Sequence, residues 1–211
     1  MLLRLNPQNP QARNLEKVVA CLKRGGVIIY PTDTLYGLGC DIRQKKAVER
    51  ICRIKGIDLE KSSLSCICED LKVLGQYTTR VDTPVFKLMK RAFPGPFTFI
   101  LQASKDIPRH FQHKKTVGIR IPEHSIPALL NQQLGGPIAS ISIPTDEEQP
   151  EFHMDPELIH ERFGHLVDMV VDGGYGGYEP STVIDCSQGE AYISVIREGA
   201  GDLGALGLDL A

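Results

Sequence analysis

The chain has 211 residues, 42% hydrophobic and 24% charged, with a formal net charge of −2. That balance excludes a disordered chain, and a chain this long buries roughly 70% of its unfolded surface, so it needs no disulfide or metal staple. No apolar run reaches the ~20 residues of a membrane span, and residues 1–7 lack a signal-peptide pattern, so a cytoplasmic protein is expected.

Leu15, Val18, Val19 and Leu22 recur at helical spacing and Gly25-Gly26 follow, which predicts a first helix with a glycine stop. Val27 to Tyr30 reads as a buried strand running into a loop over 31–39. A helix is expected over 44–55 with Ala47, Val48 and Ile51 inward, then a strand over 63–68 and a helix over 83–92. Strands are expected over 97–102 and 116–121. Ile126, Leu129, Leu130 and Leu134 mark a helix stopped by Gly135-Gly136, and a strand follows over 138–143. Asp155-Pro156 opens a last helix, with Asp as N-cap and Pro at the first helical position. Residues 167–171, 182–185 and 192–197 read as strands with no helix between them, which predicts antiparallel pairing there. The Gly-rich stretch 173–178 between two of them reads as a flexible loop.

Alternating strands and helices followed by consecutive strands predict an α/β fold, a mixed twisted sheet with flanking helices. One domain is expected over 1–211, its core at about 11–200, with a short Gly-rich tail. The six cysteines sit mostly in apolar runs and form no disulfide framework. Cys66-x-Cys68 lacks a second pair at ligand spacing, so no metal site is expected. His110 and His113 lie in a basic stretch that reads as an exposed loop.

Charge is unevenly spread. Residues 1–120 hold 22 Lys and Arg against 10 Asp and Glu, a balance of +12; residues 121–211 hold 2 against 16, a balance of −14. One reading is a basic surface for a nucleotide or polyanion, with Arg43, Lys46, Arg50 and Arg53 as RNA contacts. The other is two halves that attract each other within one fold.

No P-loop, dinucleotide fingerprint or nucleophile elbow is present. The strongest local signal is 31–39, where a buried strand delivers Thr32, Asp33, Thr34 and Tyr36 to its end, a usual ligand position in α/β sheets. Such groups orient an amino acid or sugar, or merely cap a turn. Lys55 closes a basic helix and Lys61 follows, which fits either a phosphate clamp or a solvated helix face. Arg120 interrupts an apolar strand, so it needs an anionic partner, either a ligand or a buried carboxylate. Ser140, Ser142, Ser181 and Thr182 place hydroxyls at strand ends.

Six ordered motifs resemble the YrdC family over about 25–199: Tyr30 to Gly39, Arg53-Ile54-Lys55, Phe93 to Thr98, Val117 to Pro122, Pro180 to Asp185 and Ile196 to Gly199. Glu49 to Ile54 and Cys68 to Leu71 look closest to its YciO branch. The resemblance implies a sheet around a large basic concave cavity. It also implies synthesis of threonylcarbamoyl-AMP from L-threonine, bicarbonate and ATP with Mg²⁺, releasing pyrophosphate, for tRNA modification. On that resemblance Thr32, Thr34, Tyr36, Thr98 and Ser181 line the threonine pocket. Lys55, Lys61, Arg120, Ser140, Ser142 and Arg197 face the nucleotide, with Lys55 and Arg120 catalytic. Affinity for double-stranded RNA or tRNA is implied too, and with it partner proteins of tRNA modification.

Three departures stand out. Where the family has Lys-x-Arg, Lys-Pro-Leu and Ser-x-Asn, this chain has Lys55-Gly56-Ile57, Lys61-Ser62-Ser63 and Ser142-Ile143-Pro144. The threonine pocket is thus better kept than the triphosphate pocket. A weakened synthase, an RNA-binding protein with little catalysis, and an adenylate-forming enzyme for another amino acid are the readings that follow.

Overall fold

A computed structural model describes residues 1–59, 64–145 and 148–208, with the side chains of 112–114 set aside. In chain order the elements are β1 Leu2–Arg4, α1 Ala12–Lys23, β2 Ile28–Tyr30, β3 Gly37–Asp41, α2 Lys45–Lys55, β4 Ser65–Ile67, α3 Leu74–Tyr77 and α4 Thr83–Ala92. They continue as β5 Phe97–Gln102, β6 Thr116–Arg120, α5 Ser125–Leu134, β7 Ile138–Ser142, α6 Glu151–Met154, α7 Pro156–Phe163, β8 Met169–Asp172, β9 Thr182–Asp185 and β10 Ser194–Arg197. All ten strands form one mixed sheet in the order β1-β8-β2-β3-β7-β4-β6-β5-β9-β10.

Strand alternation sends successive side chains to opposite faces, and the two faces are covered unequally. Leu38, Cys40, Cys66, Phe99, Val117, Ile119, Ala139 and Ile184 point into a core closed by α2, α4 and α7. On the other face Ile28, Tyr30, Ile67, Ile138, Met169 and Val171 meet Leu15, Val18 and Leu22 of α1 and Ile126, Leu130 and Leu134 of α5. Those two helices cover the β1–β2 side of the sheet and reach only as far as Ile138 and Ile67. Beyond them the same face of β7, β4, β6, β5 and β9 is left open as a hollow.

The last third departs from the sequence reading. β9 and β10 pair antiparallel as expected, but β8 lies far across the sheet, parallel to β1 and β2, while β9 is parallel to β5. Residues 173–181 therefore cross the sheet instead of turning a hairpin. That stretch is a bonded strap, not a flexible loop. Gly177 N–H donates to Thr34 O (2.8 Å), Gly176 N–H to Met154 O (2.9 Å), and Tyr36 Oη to Gly174 O (2.6 Å). A Cβ at Gly177 would sit 2.9 Å from Thr34 O, so the strap passes too close for any side chain there. Residues 31–39 are not all loop either: Gly37 and Gly39 already pair with Tyr30 and Ile28. The 109–114 stretch is a 3₁₀ turn whose His110 Nε2 bonds Ile42 O at 2.8 Å.

All six cysteines are free and buried. Among the described residues no three His, Cys, Asp or Glu come together around a metal position, and no helix is long and apolar enough to cross a membrane.

Candidate functional site

Register builds the open hollow. Gly39, Ser140, Ser65, Gly118 and Ile100 stand side by side across β3, β7, β4, β6 and β5, and Gly37 stands opposite Ser142. Four of the five residues in that row are Gly or Ser, so the sheet surface is low there. At Gly39 the reason is steric, since an added Cβ would lie 2.6 Å from the Tyr30 ring. Tyr30, lying over it, bonds Ser140 Oγ at 2.7 Å. The result is a cavity of about 450 Å³, within the size range of small-molecule sites.

Its polar lining is Thr34, Ser65, Thr98, Thr116, Arg120, Ser140, Ser142, Ser181 and Arg197, and none of the described lining residues is acidic. Apolar side chains, among them Leu64, Ile67, Ile100, Ile141 and Val183, complete it. One Arg120 Nη donates to Asp33 Oδ1 (2.6 Å), Thr34 Oγ1 (2.6 Å) and Thr32 Oγ1 (3.1 Å). The other Asp33 oxygen accepts the Glu123 N–H at 3.0 Å. The Arg120 and Asp33 side chains are only 12% and 10% exposed. Of the two partners the sequence allows for Arg120, a ligand or a buried carboxylate, the structure supplies the carboxylate.

Opposite, Thr98 and Ser181 share a hydrogen bond at 2.9 Å. Arg197 grips Ser181 O through Nε (3.1 Å) and Nη (2.8 Å). Lys55 reaches the rim from the end of α2 and donates to Ser142 O (2.9 Å) and Ile143 O (3.0 Å). Burial, then the neighbouring Arg197, holds the Lys55 ammonium below the ordinary lysine value. Burial, then Arg120, lowers Arg197 likewise. Arg120 and Arg197 thus line one concavity with Lys55 beside it, and among the described residues the only carboxylate bonded to any of them is Asp33, held by Arg120. Such a site favours an anion.

Several expected site residues stand elsewhere. Tyr36 is fully buried, with its hydroxyl bonded to Gly174 O and the Gly173 N–H, and it does not line the cavity. Burial raises its pKa. Thr32 also lies behind the wall: its Oγ1 donates to Leu35 O and accepts the Thr34 N–H, a local turn bond. Lys61 lies outside the described residues. Ile57 packs half-buried against the core, its N–H donating to Cys52 O.

Of the four expected RNA contacts, two are held internally. Arg43 pairs with Asp41 (2.7 Å) and also donates to Leu134 O, while Arg50 pairs with Asp168 (2.6 Å) and donates to Leu166 O. Lys46 and Arg53 are exposed. The sequence reading also passed over Ser65, Thr116 and Gly118, which only register reveals. Asp33, expected with its neighbours to orient a ligand or cap a turn, instead pairs with Arg120.

Fold and site together define an α/β protein with a polar, arginine-lined cavity on an uncovered patch of a mixed sheet. A family model described as telomere recombination, spanning Sua5, YciO and YrdC proteins, matches residues 20–199, and the chain belongs to that family. It is 41% identical over 202 residues to YciO of Escherichia coli K12, covering 94% of this chain and 95% of that protein. The crystal structure of E. coli YciO superposes with a TM-score of 0.87 over 98% of both chains. Threonylcarbamoyl-AMP synthase of Coxiella burnetii RSA 493 is 33% identical over 181 residues, 84% of this chain and 95% of that one. Sua5 of P. abyssi, solved in complex with L-threonine, matches at 25% identity and TM-score 0.81, covering 94% of this chain and 57% of that one.

Proposed function

We propose that this chain is a weakened threonylcarbamoyl-AMP synthase acting in tRNA modification. The observation that carries the reading is one cavity lined by Arg120, Arg197 and the Thr34, Thr98 and Ser181 hydroxyls, with Lys55 bonded to the backbone of its Ser142 edge. Threonine carboxylated on its amine by bicarbonate is already an anion. Its carboxylate oxygen attacks the α-phosphorus of ATP, the bond to pyrophosphate breaks, and the adenylate forms. That step needs alignment and charge neutralisation more than a strong base. Thr34, Thr98 and Ser181 orient the amino acid. Arg120, Arg197 and Lys55, with the Ser140 and Ser142 hydroxyls, meet the phosphates and stabilise the departing pyrophosphate. Among the described residues no acidic side chain lines the cavity, and on this reading Mg²⁺ enters as part of the ATP complex.

Weakness follows from the nucleotide half. Ile57 and Pro144 replace an Arg and an Asn of the family pattern, and a charge-assisted contact is worth about 1.5–3 kcal/mol. At 1.4 kcal/mol per decade the two losses lower efficiency by about two to four powers of ten. The test is pyrophosphate release from ATP by the full chain. Release that requires both threonine and bicarbonate, and is lost in Arg120→Ala, is expected. Release indifferent to threonine, or absent at any enzyme concentration, overturns the reading.

A further inference from the structure

A second cavity, about 650 Å³, shares no residue with the first. It opens at the carboxyl ends of the parallel neighbours β4 and β6, the end at which α/β sheets tend to take ligands. Its floor is apolar: Phe93 and Ile121, both buried and packed in the core, are joined by Pro94 and Pro122. A core that opens onto a concave surface of this kind is the usual bed for a ring or branched chain.

The rim is net acidic. Glu69, Asp70 and Glu123 line it, and among the described residues the one cation there is Lys72, which pairs with Asp70 at 3.3 Å. The exposed carboxylates of Glu69 and Glu123 have no partner among the described residues. His124 adds no charge, because its Nδ1 accepts the Ile126 N–H and so carries no proton. That same bond caps the start of α5, taking up a donor that would otherwise draw an anion.

We propose that this cavity binds an organic cation, a primary amine carried on an aromatic or branched apolar body. The body lies on Phe93, Pro94, Ile121 and Pro122, and the ammonium sits between Glu69 and Glu123. The Glu123 N–H bonds Asp33, the partner of Arg120, so an occupied second cavity adjoins the wall of the first. The assignment is independent of the reaction proposed above.

The experiment uses tyramine as the probe, titrated onto the full chain by calorimetry beside two molecules of the same body, neutral 4-methylphenol and anionic 4-hydroxyphenylacetate. Tyramine is expected to bind about tenfold tighter than 4-methylphenol, as two exposed charge contacts supply, and 4-hydroxyphenylacetate weakest of all. Glu69→Gln/Glu123→Gln, both at exposed positions, is expected to bring tyramine down to the affinity of 4-methylphenol. Ala128→Trp, which fills the cavity from its α5 wall, is expected to lower all three. Equal binding of the three probes overturns the proposal. So does tyramine binding that survives both variants, or that pyrophosphate displaces, which would put the cation in the first cavity.

Discussion

Asp33 and Arg120 show how one residue pair sets the charge of a site. The pair is nearly dry, and the carboxylate bonds a guanidinium on one side and a backbone N–H on the other. Removing one partner of a buried pair leaves the other charge uncompensated, which costs about 3–5 kcal/mol. Asp33→Ala is therefore expected to lower the melting temperature by about 10 °C, at 2–4 °C per kcal/mol for a chain of this size. Asp33→Glu keeps the charge and should lose much less. Arg120→Met should cost a similar amount alone, yet little more when added to Asp33→Asn, because the two act as a unit. Thermal melts of the singles and the double check this; strictly additive losses would mean that each residue is held by other partners.

At the scale of elements, α5 depends on an unusual cap. His124 accepts the Ile126 N–H through Nδ1, which requires a neutral imidazole. Burial holds the His124 pKa below its ordinary value of 6.5, and nearby Asp33 offsets part of that. The sign follows from linkage: a histidine depressed in the folded state contributes stability that is whole above about pH 6.5 and is lost as pH falls through the folded value. Stability should thus drop on the acid side of 6.5. His124→Asn, which caps without titrating, should flatten that limb in urea melts at pH 5 and 7. His124→Ala should cost about 1 kcal/mol at pH 7; an unchanged acid limb in His124→Asn would remove the cap as its cause.

The same scale decides what the sequence discloses. Helices α1, α2, α4 and α5 are legible because Leu15, Val18 and Leu22, or Val85, Leu88 and Met89, repeat at the helical period and α1 and α5 run into glycines. β1 is only three residues long, too short for a period, and holds its place through parallel pairing with β8. Parallel pairing leaves no turn signal nearby, which is why β8 and β9 read as neighbours when they lie far apart. The polar half of the candidate site, from Thr34 to Arg197, is visible as hydroxyls and cations at strand ends. Ser65 and Gly118 are not, because their meaning is positional: they line the cavity only through the register that sets them beside Ser140.

Over the whole molecule, the imbalance of +12 against −14 is partly consumed inside the fold. Arg50 reaches from the basic half to Asp168, and Arg4 to Asp172, beside and within β8. Arg43 is neutralised within its own half by Asp41. The outward cations of α2 that remain from the expected RNA face are Lys46 and Arg53. If duplex RNA binds there, its affinity falls with salt, with a slope of about one per phosphate contact. Lys46→Glu/Arg53→Glu should then weaken binding and reduce the slope by about two, while leaving the melting temperature near wild type. Arg50→Glu should behave differently. It breaks a partly exposed pair and sets two acids together, at a cost of about 1 kcal/mol in stability, with no change in salt slope. Filter binding of a duplex RNA from low to moderate salt, run beside thermal melts, separates the two. If Lys46→Glu/Arg53→Glu binds RNA as wild type does while Arg50→Glu lowers only stability, the asymmetry serves the fold alone, drawing the basic first half onto β8.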